Sequence, residues 1–340
     1  MTHAQTATPM TETHASPLKQ SMALGKPLLA EVDTLILSII KEEIPLIHDV
    51  AKHIINSGGK RLRPLLTLLC SQCCEYGEGD RQVRLAAAVE FIHTATLLHD
   101  DVVDDSNLRR GLATANNVWG NKPSVLVGDF LLSQAFRLMV ADGSLDVLDI
   151  LSQAAAVISK GEVLQLTTER QIDTEQDIYL EVIKAKTAEL FAAACEIAPV
   201  IAGKDEMRPT FQSYGMSLGI AFQAVDDVLD YFADQSALGK EVGDDFKEKK
   251  ITLPILLLRD SASDDVKAKL AEYFSDDYVQ QADDFAALQS WLADYDIKTM
   301  CQAFIEHYCE QARGALKQMP SNPASSALLE IVDYGASRSS

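Results

Sequence analysis

Two copies of one acidic pattern, Asp100-Asp101-Val102-Val103-Asp104 and Asp226-Asp227-Val228-Leu229-Asp230, each follow a mostly apolar stretch. If those stretches are helices, residues four apart share a face, so Asp100 lies under Asp104 and Asp226 under Asp230. Bare carboxylates one turn apart repel and need water or a cation between them. Hard oxygen ligands suit Mg²⁺. One such cluster is consistent with a solvated helix end. Two with the same spacing, each on an apolar helix, predict two walls of one metal-filled cavity.

The rest of the chain supports helices throughout. Apolar residues recur at helical spacing almost everywhere, strand-like alternation is rare, and Gly/Pro punctuation is sparse. The spacing predicts helices over 28–56 (broken near Pro45), 63–76, 82–105, 123–141, 145–169, 175–202, 206–233 and 252–260, then shorter ones to 336. The expectation is an all-α protein with one large helical domain over 23–340. Residues 1–22, rich in Thr, His, Ala and Pro without periodicity, read as a disordered tail. No short repeat is present. A net charge of −20 argues against nucleic-acid binding, which needs a basic face. Cys70-Ser71-Gln72-Cys73 has zinc-ligand spacing without a second Cys pair or a His-rich partner, so buried thiols are expected. No basic-then-apolar leader is apparent and no apolar run approaches ~20 residues, so neither a signal nor a transmembrane segment is expected. Reduced thiols in the cytoplasm fit best.

Three cationic groups accompany the acidic ones. Gly58-Gly59-Lys60-Arg61-Leu62-Arg63-Pro64 offers a close backbone approach, two arginines and a lysine for an anion. Two long polar connections, 106–122 and 234–251, each begin just after an acidic cluster. The first carries Arg109 and Arg110, the second Lys240, Lys247, Lys249 and Lys250. Long loops in such positions read as functional lids. Carboxylates for Mg²⁺, cations for phosphate and apolar helices around them suit a substrate with a diphosphate head and a hydrocarbon tail.

The segments GGKRLRP (58–64), IHTATLLHDDVVDDSNLRRG (92–111), KT (186–187), GIAFQAVDDVLDYF (219–232) and GKEVGDDFKEKKITLP (239–254) resemble the trans-type polyprenyl diphosphate synthases, most closely the bacterial octaprenyl and decaprenyl members. The resemblance implies a single isoprenoid-synthase domain, a homodimer, and Mg²⁺, three ions per active site, held by Asp100, Asp104 and Asp226. Asp101, Asp227 and Asp230 would support that shell. Arg109, Lys186, Gln223, Lys240 and Lys250 would contact the allylic diphosphate. Lys60, Arg63, His93 and Arg110 would hold isopentenyl diphosphate. Thr187 and Gln223 would offer oxygen dipoles to an allylic cation. The departing diphosphate would take the proton, so none of the seven histidines is needed as a base. Contact with a membrane would be peripheral, for product release. One departure is Lys249, which occupies a position where relatives often carry Gly and which competes with Lys250 for the same role.

Other readings remain open on the residues alone. His99-Asp100 is the signature pair of an all-helical metal phosphohydrolase class, although it explains neither the second acidic motif nor the cationic segments. A non-catalytic subunit of a heteromeric synthase would carry degraded motifs, and these are intact. His93 reads as a ligand or as a core histidine, Asp129 as a helix opener, and Asp244-Asp245 as an outer metal contact or a solvated loop. Product length should follow the apolar descent below the first motif. Ala95, Ile92, Val89 and Ala88 line it, Ala88 about 18 Å below Asp100 at ~1.5 Å per residue, and Phe91 is the one aromatic on the way. Leu132, Phe136 and Met139 are floor candidates. An eight- to ten-unit product is expected, a quinone side-chain precursor, with a farnesyl- or geranylgeranyl-length product as the alternative.

Overall fold

The computed structural model describes residues 18–41, 44–77, 79–232, 242–281 and 283–337. Lys240 and most of the expected tail lie outside them. The described chain is helical apart from a two-residue hairpin, Leu108–Arg109 paired with Leu112–Ala113. The helices that position the site are α1 (Lys19–Lys41), α2 (Pro45–Asn56), α3 (Leu62–Cys73), α4 (Arg81–Val103), α5 (Ala115–Trp119), α6 (Asn121–Asp142), α7 (Leu145–Thr168), α8 (Gln176–Ile183), α9 (Glu189–Ile201) and α10 (Arg208–Phe232). Later helices cover Leu253–Ser261, Asp264–Phe274, Asp284–Asp294, Ile297–Leu316 and Pro323–Ser337.

Between Leu85 and Leu98 helix α4 is mostly apolar, with Glu90 and His93 as the charged or titratable exceptions, and such a segment belongs near the centre of a bundle. It packs against α1, α3, α6 and α9, and its residues from Val83 to Leu98 are almost all buried. Helix α10 packs against α9 and the Ile297–Leu316 helix. Each of these long helices carries one acidic motif at or near its C-terminal end.

The first helix starts at Lys19, inside the stretch expected to be irregular, and runs through Pro27. Its exposed first turn is held from the far end of the chain. The Gln20 and Ser21 amides donate to the Glu330 carboxylate at 3.1 and 2.7 Å, and the Ser21 hydroxyl donates to Ala327 O at 2.9 Å. A cap supplied from over three hundred residues away leaves no local signal. The break expected near Pro45 is present: the second helix opens on Pro45, which suits a first-turn position.

Against the expectation that no apolar run nears membrane length, α6 is 22 residues long and apolar enough, by length and composition, to cross a bilayer. Within the fold one side of it packs on α4 and α7. On its other side Leu126, Phe136 and Val140 are exposed beside Asp129 and Arg137. The six cysteines are free and buried.

Candidate functional site

The two acidic motifs are joined on two sides. On one side, Lys186 stands close enough to Asp100 to favour its ionised form. Its neighbour Thr187 donates to Gln223 Oε1 at 2.7 Å, and Gln223 Nε2 donates to Asp227 at 2.8 Å. On the other side, Lys250 Nζ lies 3.1 Å from Asp104. Its segment is tied to the second motif, because the Asp244 and Asp245 amides donate to the Asp230 carboxylate at 3.3 and 3.0 Å. A cavity of about 140 Å³ beside the second motif is lined by Lys186, Thr187, Gln223, Asp227, Asp245 and Lys250 among others, and by no residue of the first.

Lys186 and Thr187 stand on a π-helical turn, Lys184–Ala188, set between α8 and α9. Such widened turns occur mostly as single insertions and often at functional sites. Two glycines seat this one. A Cβ on Gly161 of α7 would lie 2.6 Å from Ala185 Cβ, and one on Gly219 of α10 would lie 2.5 Å from Ala188 Cα. Both helices therefore approach the turn more closely than any side chain allows. Periodicity, which predicts one helix over 175–202, does not reveal the extra residue.

In the first motif Asp101 is buried and held by Arg109, whose Nε and terminal nitrogen reach its Oδ1 at 2.8 and 2.7 Å. Its second oxygen is buried with no hydrogen-bond partner. Burial, with Glu162 and Asp104 nearby, pushes Asp100 up to about 7 despite Lys186 and Arg109. In the second motif Asp227 is buried and accepts from Tyr179 Oη at 2.7 Å as well as from Gln223. Burial raises it to about 6 against those hydrogen bonds. Burial also raises Asp245, with Asp230 and Asp227 adding to the rise. Asp226 is exposed. The Lys250 ammonium is opposed by burial but held above its ordinary value by Asp104 and Glu248.

Of the expected anion-binding group, Arg63, His93 and Arg110 converge beside α4, while Lys60 turns to the Pro323–Ser337 helix. Arg63 lies 3.2 Å from His93 Nε2 and stacks 4.5 Å over the Phe191 ring. Burial pulls it down to about 10 against Glu90 and Asp226. Burial first, then Arg63 and Arg110, holds His93 well below its ordinary value, so it is neutral near pH 7. Arg110 turns toward the glycine loop, where a Cβ on Gly59 would lie 2.6 Å from its guanidinium. Arg109 and Arg110 thus point to different partners. Lys60 lies over the Tyr334 ring, 4.4 Å from its centre, and bonds the Tyr334 hydroxyl. His99 turns toward α6, against Gly128 and 3.4 Å from Asp129.

Several contributors escape a motif search. Glu90, buried in α4, bonds Arg61 at 2.5 Å beneath the basic group, and Arg61 also reaches Asp33 at 3.2 Å. An acid set in the apolar run Leu85–Ile92 was the available signal. Glu162 bonds Lys186 at 2.7 Å, and Tyr179 fixes Asp227. Neither stands in a recognisable pattern. Ala95, Ile92, Val89 and Ala88 are at most 1 % exposed, so no water-filled shaft runs past them. Phe91 is fully buried, while Phe136 is 39 % exposed and does not close an internal floor by itself.

The donor set fits a hard divalent cation. Burial and neighbouring carboxylates disfavour the ionised form of Asp100, which a cation would restore, and an oxygen of Asp101 lacks a partner. Among the described residues no three His, Cys, Asp or Glu side chains form a ready-made metal cage. Mg²⁺ ordinarily takes one or two carboxylates and fills its shell with water and substrate phosphates, which suits this open arrangement.

Residues 44–292 match the sequence profile of the polyprenyl synthetase family. The chain is 49 % identical over 229 residues to the octaprenyl diphosphate synthase of Escherichia coli K12, covering 67 % of this chain and 71 % of that one. A decaprenyl diphosphate synthase from Rhodobacter capsulatus superposes with a TM-score of 0.89 at 41 % identity, over 95 % of this chain and all of the other. A polyprenyl synthase from Caulobacter crescentus, complexed with calcium and isoprenyl diphosphate, superposes at 0.90 and 42 % identity, over 95 % and 98 % of the two chains.

Proposed function

The chain belongs to the polyprenyl synthetase family, and from that membership we propose that it is a long-chain trans-polyprenyl diphosphate synthase. It adds isopentenyl diphosphate, head to tail and repeatedly, onto an allylic diphosphate. The observation that carries this reading is the double link between the two acidic motifs, through Lys186, Thr187 and Gln223 on one side and Lys250 on the other.

The family uses divalent metal. Bound at Asp100, Asp104 and Asp226, Mg²⁺ (three ions in our reading) would neutralise the charge developing on the leaving diphosphate. Arg109, Lys186 and Lys250 add fixed positive charge around that leaving group. Thr187 and Gln223 turn oxygen dipoles toward the carbon left electron-poor. Gln223 Oε1 accepts from Thr187, which leaves one lone pair on Gln223 and both on the Thr187 hydroxyl for that carbon. Arg63, Arg110, Lys60 and neutral His93 hold isopentenyl diphosphate, whose double bond attacks that carbon. The proton lost in closing the new double bond passes to the diphosphate, which needs no side-chain base. Lys240 stands in the lysine-rich segment for the same allylic diphosphate.

The octaprenyl and decaprenyl relatives support a product of eight to ten units, a quinone side-chain precursor. The buried free thiols support a cytoplasmic location, with peripheral membrane contact at product release. The exposed apolar face of α6 (Leu126, Phe136, Val140), continued by Leu145, supports a homodimer formed over it. Incubation with farnesyl diphosphate, isopentenyl diphosphate and Mg²⁺, then dephosphorylation and chromatographic sizing, tests the length. Wild type should give eight to ten units and Ala95→Tyr mainly three or four, since overpacking that interior costs ~1–3 kcal/mol and the helix yields poorly. A short wild-type product would refute the long-chain reading.

A further inference from the structure

We propose that Lys249 is a positioning residue: its ammonium, fastened to backbone carbonyls beyond the Asp264–Phe274 helix, fixes where Lys250 enters the diphosphate site. Two consecutive lysines invite the view that both serve the anion. The structure separates them. Lys250 reaches Asp104 at 3.1 Å and Glu248 at 2.7 Å. Lys249 points elsewhere and donates to Ser275 O at 2.5 Å and Tyr278 O at 2.8 Å. Ser275 caps the C-terminus of the Asp264–Phe274 helix, where the helix dipole favours a cation.

The backbone makes this choice of residue costly. Lys249 has φ +57°, in the left-handed region. An L-residue is strained there, and glycine adopts it freely. A strained conformation persists where the surroundings hold it. Here they do so through the ammonium and through Lys249 O, which accepts from the Arg170 amide at 3.1 Å.

The preceding residues have their own anchors. The Asp230 carboxylate holds the Asp244 and Asp245 amides. Phe246 is buried against Phe274, Phe285 and Tyr273. Gln280 Nε2 donates to Phe246 O at 2.7 Å. Between that anchor and Lys250, Lys249 supplies the side-chain fastening, so its loss should loosen the turn from which Lys250 extends.

The kinetic part of the test rests on the prenyl-transfer reading, and the exchange part does not. Full-length Lys249→Gly, Lys249→Ala and Lys249→Arg proteins would be compared with wild type. Lys249→Gly relieves the backbone strain, so its Tm should equal or exceed that of wild type. Its KM for the allylic diphosphate should nevertheless rise about tenfold, the worth of a charge-assisted hydrogen bond, with KM for isopentenyl diphosphate unchanged. Exchange of the Lys250 amide, which donates to Asp245 O, should quicken in Lys249→Gly and Lys249→Ala, and Lys249→Arg should restore both properties. A Lys249→Gly protein with wild-type exchange overturns the proposal, whatever the enzyme makes. So does faster exchange with an unchanged allylic KM in an enzyme that transfers prenyl groups. Should wild type transfer none, the proposed function fails and amide exchange alone decides the role of Lys249.

Discussion

The two acidic motifs share a spacing and differ in their partners. The first is surrounded by cations: Arg109 on Asp101, Lys186 close to Asp100 and Lys250 on Asp104. In the second, Asp227 and Asp230 are held by neutral donors, Tyr179 and Gln223 on the one and two backbone amides on the other, with Arg63 acting only on Asp226 through charge. In both, the middle carboxylate is buried and committed to the protein. The difference teaches that five identically spaced positions need not do identical work. The first motif sets its carboxylates against cations brought from three other segments, the same cations proposed to meet a diphosphate. The second presents Asp226 from a wall whose other carboxylates are fixed by hydrogen bonds, a rigid support for an incoming cation.

The largest expected effect breaks both motifs. Asp100→Ala and Asp226→Ala should each lower kcat by about 10³-fold, the order lost with one preorganised charge-stabilising group, while circular dichroism stays native. Near-normal turnover in either folded variant would end the two-wall account. A smaller effect separates the arginines. Arg109→Lys should raise KM for the allylic diphosphate, and Arg110→Lys that for isopentenyl diphosphate, each about tenfold, because lysine cannot keep the forked contact. Equal changes in both constants for both variants would refute the division suggested by Asp101 on one side and the Gly59 loop on the other.

The smallest effect is on stability without metal. Asp100 titrates at about 7 in the folded protein, above the ~3.9 of an unfolded Asp. Its contribution is therefore fully present below about pH 4 and lost as pH rises through about 7. His93 runs the other way. Its folded value is depressed, so its contribution is present above about 6.5 and lost as pH falls. In EDTA, Tm should decline between pH 6.5 and 8 in wild type and decline less in Asp100→Asn. The same slope in both proteins would remove Asp100 as the cause.

How much of this was legible depended on how local the cause was. Helical periodicity and the carboxylate spacing are local, and the structure is all-α with the two motifs linked through Lys186, Gln223 and Lys250. The start of α1 is not local, because Glu330 supplies its cap. The π turn is not local either, since Gly161 and Gly219 make room for it from two other helices. Glu90 and Glu162 lack a motif because each acts through a basic residue distant in sequence. Lys249 looked like a rival of Lys250 until its backbone conformation and its two carbonyl partners separated them.

Binding of a non-reactive allylic diphosphate analogue, followed by calorimetry with Mg²⁺ and with EDTA, tests most directly whether the two motifs hold one diphosphate through a metal. The expected result is tight binding by wild type in Mg²⁺, at least tenfold weaker binding in EDTA, and little benefit from Mg²⁺ in Asp100→Ala or Asp226→Ala. Equal affinity with and without metal, or an Asp226→Ala protein as responsive to Mg²⁺ as wild type, would contradict it.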